Sequence, residues 1–227
     1  MAELDLKATG VRSVNSALHG LTTGANEQDW LIKNPMGQHA IACGLDAPLN
    51  VTIDGHVGFY CGGMNQQAVI TIQGHAGVGV AENMMSGQVR VTGSASDAAG
   101  ATAHGGLLVI EGDASSRCGI SMKGVNIVVG GSVGHMSGFM AQSGHLVVCG
   151  DASDALGDSI YEAILFVAGK VGSLGADCIE KGMRPEHLVK LAGLLEAAGL
   201  DQDPARFRRY GSARALYNFD IDNVDAY

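Results

Sequence analysis

The sequence predicts an all-β protein: a right-handed parallel β-helix, or solenoid, of about seven 19-residue coils. Three observations predict it. Glycine recurs as Gly55, Gly74, Gly93, Gly112, Gly131, Gly150 and Gly169, always 19 residues apart. Each of these glycines is preceded by the same short apolar alternation. Glycine and proline are also segregated. Of 34 glycines 26 fall between residues 50 and 182, whereas Pro35, Pro48, Pro185 and Pro204 all lie outside that stretch. The chain therefore divides into an N-terminal α/β cap segment (1–49), a repeat (50–182), and a C-terminal helix with an extended tail (183–227).

Each unit opens on a strand. Four residues before the glycine stand Val51, Ile70, Val89, Leu108, Ile127, Leu146 and Leu165. Two before it stand Ile53, Ile72, Val91, Ile110, Val129, Val148 and Val167. Period-two alternation of branched aliphatics means a strand with one inward face. Two residues after the glycine every unit has Val or Ala, and seven after it Gly or Ala, as a tight corner or a close backbone approach requires. A unit of this size cannot bury its own apolar face, but stacked units can, each side chain resting on its equivalent one coil away. Proline is excluded because interior strands must donate to their neighbours. The seven glycines are thus structural. They do not form a phosphate loop, since no Gly-Lys-Ser/Thr is present and Gly74, Gly77 and Gly79 miss the dinucleotide spacing.

The position three before each glycine points outward and changes character along the rod. It reads Thr52, Thr71 and Arg90, then Val109, Val128, Val147 and Phe166. The apolar four should not face water, so this chain's own tail or a partner should cover them. Downstream, RPEHLVKLAGLLEAAG reads as a helix beginning at Pro185 and stopped by Gly199, with Leu188, Leu191, Leu195 and Ala198 on one face, joined by Ala192 and Leu194. It suits a cap or flank of the solenoid. The tail concentrates aromatics and arginine, among them Arg209, Tyr210, Arg214, Tyr217 and Phe219, a composition that serves equally for anchoring a partner and for wrapping the rod.

Bulk composition narrows the function classes. A formal charge of −9 argues against nucleic acid and anionic membrane as partners. No apolar stretch reaches transmembrane length, and the first residues lack a signal core, so a cytoplasmic location is expected. Five cysteines without a Cys-x-x-Cys pair fit reduced, buried thiols. Charged residues make up only 16% of the chain, which suggests a surface partly covered by a partner. His56 and His75 share a phase in adjacent coils and should stack about 5 Å apart. No third ligand follows at that phase, where Ser94, Asp113 and Ser132 stand, so a polar ladder is favoured over a metal site. Asp113 and Asp151 share that phase two coils apart. A carboxylate pair for sugar hydrolysis is one reading, and a corner residue bonding backbone N–H groups is the favoured one.

The units also carry a family resemblance. GDASDALGDSIYEAILFVAGKVGSLGADC (150–178), GSVGHMSGFMAQSG (131–144) and GHVGFYCGGM (55–64) resemble the GXGXG domain of the glutamate synthase large chain, a domain shared with a formylmethanofuran dehydrogenase subunit. By its opening DLKATGVRSVNSALHG and its ending RYGSARALYNFD the chain is similar to the stand-alone GXGXG subunit of bacterial N-methylglutamate synthase. The resemblance implies a right-handed β-helix carrying no catalytic, cofactor-binding or metal-binding residue of its own. It implies a hetero-oligomer in which this chain joins an amidotransferase-like subunit to an FMN-binding barrel subunit. FMN, with an iron–sulfur cluster as a second expectation, would sit on the partner. The reaction implied is methylamine plus glutamate to N-methylglutamate plus ammonia. The alternatives are a subunit of a glutamate synthase proper, a formylmethanofuran-dehydrogenase-type subunit and, in a different class, a free-standing solenoid hydrolase.

Overall fold

The computed structural model describes residues 1–20 and 28–214. Eleven strands form one sheet that runs the length of a stacked coil. The chain enters through β1 (Ala2–Asp5) and α1 (Leu6–His19), then β2 (Asp29–Lys33). The repeat strands follow: β3 (Asn50–Asp54), β4 (Val69–Ile72), β5 (Gln88–Val91), β6 (Leu107–Ile110), β7 (Lys123–Val129), β8 (Ser143–Val148) and β9 (Ile164–Val167). It leaves through β10 (Cys178–Lys181), α2 (Pro185–Ala198) and β11 (Arg208–Ser212). From β3 to β9 every neighbour is parallel, and the apolar rows pair at an offset of 19 residues, as in Val51 with Ile70 and Ile127 with Leu146. The predicted parallel solenoid is the observed fold.

The inward rows stack as the alternation requires. Ile53, Ile70, Ile72, Val89, Leu108, Ile127, Leu146 and Leu165 are all fully buried in one continuous core. A second parallel ladder closes the coil at the residue two after the glycine, from Val57–Ala76 through Ala152–Val171. One irregularity lies in β7, where the register shifts between Lys123 and Asn126. The seventh coil is one residue short. Leu156 bridges Leu174, an offset of 18, so Ala176 does not occupy the seven-after position that a strict count assigns it.

The parallel ladder extends past the repeat at its N-terminal end. β2 pairs with β3 at an offset of 21, Trp30 opposite Val51, and β1 pairs with β2. A turn of chain therefore stacks on the first glycine unit from within residues 1–49. The glycine period does not reach this turn, because its strand register is longer and Pro35 packs against Gly55, at 3.0 Å from where a Cβ there would stand.

Each open end of the coil is closed by a different device. At the N-terminal end α1 sends Leu6, Val14 and Leu18 into the core. Asn15 stands in for a further coil, accepting from the Ala42 N–H at 2.9 Å and donating to the Ala40 carbonyl at 2.7 Å. At the other end β11 adds to β9 antiparallel and β10 adds to β11, so the terminal strand of the stack is paired.

Candidate functional site

The sequence-predicted residues fall into four rows that run along the rod. The first is the glycine row. From Gly93 to Gly169 each glycine N–H donates to the glycine carbonyl one coil back, as in Gly93 to Gly74 at 2.9 Å and Gly150 to Gly131 at 2.8 Å. A Cβ on Gly150 would stand 2.7 Å from the carbonyl carbon of Gly131 and 2.5 Å from the Ser132 hydroxyl, closer than real Cβ contacts permit. Close approach, more than special dihedrals, excludes side chains from this row.

The second row follows directly and explains what crowds the glycines. From His56 to Asp151 the side chain after each glycine accepts from the backbone N–H of its equivalent one coil on. His56 Nδ1 accepts from His75 N at 2.9 Å, His75 Nδ1 from Ser94 N at 2.8 Å and Ser94 Oγ from Asp113 N at 3.2 Å. Asp113 Oδ1 accepts from Ser132 N at 2.7 Å, Ser132 Oγ from Asp151 N at 3.0 Å and Asp151 Oδ1 from Lys170 N at 2.7 Å. The His56 and His75 rings stack at 5.0 Å. Asp113 and Asp151 each bond a backbone N–H of the following coil, which is the geometry of a corner residue. His, Ser and Asp alternate in this row because all three present an acceptor at the right reach.

A third feature was hidden from sequence reasoning. In six coils the residues five, seven and nine after the glycine are left-handed, with φ between 51° and 71°. Tyr60, Gly62 and Met64 show the purpose. Tyr60 N and Met64 N bond the next coil at Val78 O and Glu82 O, both at 2.8 Å, while Gly62 N bonds the previous coil at Ile41 O, 3.0 Å. The middle residue faces the core, and a Cβ on Gly100 would meet Ile127 Cδ1 at 2.6 Å. Apart from Gly79 the outer two are at least partly exposed, so Tyr60, Arg117 and Met140 are accommodated there at a backbone cost of about 1 kcal/mol each. The only available signal was the near absence of β-branched residues at those two positions.

The fourth row is the outward stripe. Val109, Val128, Val147 and Phe166 are fully buried and form a second core with Leu191, Leu194, Leu195 and Ala198 of α2 and with Phe207. The chain's own helix thus covers the stripe. α2 begins with Pro185 and ends at Gly199 in the left-handed conformation, as its sequence requires. Two details differ from the sequence reading. His187, not Leu188, takes the buried face, and Leu188 and Ala192 face outward. The helix is rotated so that His187, Leu191, Leu194 and Ala198 form the inner line, with the His187 ring closing on its own N-terminus by accepting from Arg184 N at 3.1 Å. Arg90 is also more than a solvated position. It pairs with Glu111 at 2.7 Å and donates to the Ala198 carbonyl at 2.8 Å, placing a cation on the C-terminus of α2.

The described part of the tail is packed on the rod. Tyr210 is buried in the main core with Arg208 over its ring, Arg209 Nε donates to the Gly182 carbonyl at 2.9 Å, and Arg214 forms an ion pair with Asp177. Tyr217 and Phe219 lie outside the described residues.

Among the remaining polar groups, burial raises the Cys118 thiol to about 12 and the Cys149 and Cys178 thiols to about 11, which keeps them protonated at neutral pH. All five cysteines are free, and Cys43 and Cys149 are half-buried, not fully buried as expected. Among the described residues no group of three His, Cys, Asp or Glu is placed to hold a metal ion, and no helix is long and apolar enough to cross a membrane.

His145 is the most perturbed histidine. It lies under the edge of α2 with Nδ1 on Asn126 Oδ1 at 2.8 Å and its ring parallel to Phe166. Burial, then the nearby Lys190 and His187, lowers it from 6.5 to about 4. Because the folded value lies below the unfolded one, the unfolded chain binds more protons between these values. Stability from this group is therefore full above about 6.5 and falls as pH drops toward about 4. At about 1.4 kcal/mol per unit, reduced for partial solvent screening, the loss is about 1–2 kcal/mol. Denaturation of wild type and His145→Gln across this window should show a steeper acid loss in wild type. Parallel curves would remove the assignment.

These rows define a class: a capped parallel β-helix built from in-register small-residue corners, with a helix and a strand of its own laid along and across the stack. The chain is 62% identical over 228 residues to Protein GlxC of Rhizobium meliloti (strain 1021), across 100% of both chains. It belongs to the GlxC family. No protein-family model matches the chain.

Proposed function

We propose that this chain is a non-catalytic structural subunit of an FMN-dependent, glutamate-synthase-related complex, most specifically N-methylglutamate synthase. In that complex it holds an amidotransferase-like subunit against an FMN-binding subunit and sets the distance between their active sites. The resemblance of its repeat units to the GXGXG domain and its membership of the GlxC family support the reading. The observation that carries it is the polar ladder. The residues that would serve as acids, bases or ligands, His56, His75, Asp113 and Asp151, recur in register, and each accepts from the backbone of the next coil. Groups committed in this way build a rod. They do not converge on a substrate.

Affinity isolation of the tagged chain at native expression level tests the proposal. Two companions should accompany it in near-equal amounts, one amidotransferase-like and one flavin-binding, with the flavin absorbance belonging to the second. A chain that carries its own flavin, or that travels with molybdenum- or tungsten-containing companions, would overturn it.

A further inference from the structure

The corner of the first repeat coil carries an exposed aromatic platform. Phe59 and Tyr60 are 45% and 47% exposed, and Met64, 53% exposed, follows the turn that Gly63 N closes on the Tyr60 carbonyl. The platform is rigid. The His39 ring stacks on Phe59 at 4.5 Å and its Nδ1 accepts from Phe59 N at 2.9 Å, while Phe59 and Tyr60 meet edge to face at 6.4 Å. On the next coil both rings rest against glycine: a Cβ on Gly77 would meet Phe59 Cδ1 at 3.0 Å, and one on Gly79 would meet Tyr60 Cδ1 at 2.7 Å. The fold itself does not call for an aromatic at position 60. Its φ of 60° is left-handed, and the equivalent position one coil on is held by Gly79, which takes that conformation without cost. A large exposed ring kept at a strained position, and fixed there by its neighbours, is what a preorganised contact needs.

The charges around the platform indicate what it meets. Between residues 50 and 106 the only basic residue is Arg90, which is committed to Glu111 and to the C-terminus of α2. Carboxylates border the platform instead. Asp97 continues the column of Phe59 and Val78, four residues after the glycine, and is spent on Ser115 and Ser116. Glu82 is not spent. Its Oε2 lies 2.7 Å from the same Gly79 Cβ position that meets the Tyr60 ring, so carboxylate and ring converge over that glycine. Glu82 forms no ion pair with another described residue. An exposed ring beside an unpaired carboxylate matches a guanidinium, which lies on the ring and donates to the carboxylate at once. A second copy of this face would bring carboxylates and no cation, so the match is to a different chain.

We propose that this corner, centred on Tyr60 and Glu82, is where a companion subunit docks, through an arginine laid on the Tyr60 ring and an apolar side chain beside it on Phe59 and Met64. The inference rests on the reading of this chain as a subunit that joins two companions, and it assigns a surface to one of them. Because the rings are already fixed, they lose little freedom on binding, and these few contacts carry much of the affinity.

Binding of the purified amidotransferase-like and FMN-binding companions, each in turn, to the immobilised full-length chain tests it. One companion should bind Tyr60→Gly about ten-fold or more weakly, although glycine suits the left-handed corner and the variant keeps the wild-type circular dichroism. Glu82→Gln should weaken the same companion about three-fold or more and flatten the salt dependence of its binding. Met140→Gly removes an exposed left-handed side chain from the fifth coil and should change neither quantity. A photoreactive benzophenone side chain in place of Phe59 should cross-link that companion within a few residues of an arginine. Companions that bind Tyr60→Gly and Glu82→Gln as tightly as wild type, or a cross-link remote from any arginine, would overturn this surface and leave the functional reading standing. Failure of both companions to bind the wild-type chain would overturn that reading and this proposal together.

Discussion

Val128→Asp is expected to destabilise the chain by about 4 kcal/mol or more, a large part of the stability of an ordinary domain. Val128 is fully buried between the outward side of β7 and the inner face of α2. A carboxylate there finds no cation and no donor among Val109, Val147, Phe166 and Leu191, so it must either stay charged in an apolar seam or expel the helix. Expelling the helix bares the whole stripe. The same substitution at Thr71, the equivalent row position two coils toward the N-terminus from Val109, is half-buried and outside the second core, so Thr71→Asp should shift stability by less than about 1 kcal/mol. Chemical denaturation of both variants, with limited proteolysis around residue 185 to report on α2, separates the cases. Equal effects at the two positions would mean that α2 does not depend on the stripe.

Gly150→Ala carries the second large effect, about 3 kcal/mol. Its added methyl would overlap the Gly131 carbonyl carbon and oxygen at 2.7 and 2.8 Å and the Ser132 hydroxyl at 2.5 Å. The backbone can yield only by stretching the Gly150 N–H bond to Gly131 O, and the hydroxyl only by giving up its acceptance from Asp151 N. Adding Ser132→Ala removes one of the clashing atoms while the backbone contacts remain, so the double variant should recover part of the loss and not all of it. Gly182→Ala is the control. Nothing lies within 4 Å of a Cβ there, and the change should be nearly neutral. A tolerated Gly150→Ala would show that the glycine row is not held by close approach.

The contrast between these residues explains what was legible in the sequence. Rows that are read by size, such as the aliphatics before each glycine and the glycine itself, repeat identically because each side chain packs on its own copy. The helix was bounded correctly because Pro185 and Gly199 act locally. Its rotation was not legible, since Leu188 and His187 are adjacent and only the docked partner decides between them. The early turn of chain within 1–49 was missed because Pro35 and a coil offset of 21 residues break the glycine period there while leaving the hydrogen-bond ladder intact. The left-handed outer positions were missed for a different reason. Tyr60, Arg117 and Met140 bear no mark of their backbone angle, which is imposed by bonds to coils on both sides. The polar ladder was half visible: its phase could be counted, but its acceptors could be told from catalytic groups only by what they touch.

The proposed role is that of a rod supplying architecture to companions that supply the chemistry. The most direct measurement is reconstitution from separately purified amidotransferase-like, FMN-binding and present chains, assayed for N-methylglutamate formed from methylamine and glutamate. Product should form only when all three are combined, with the present chain alone inactive. Turnover by this chain alone, or full turnover by the other two without it, would contradict the account.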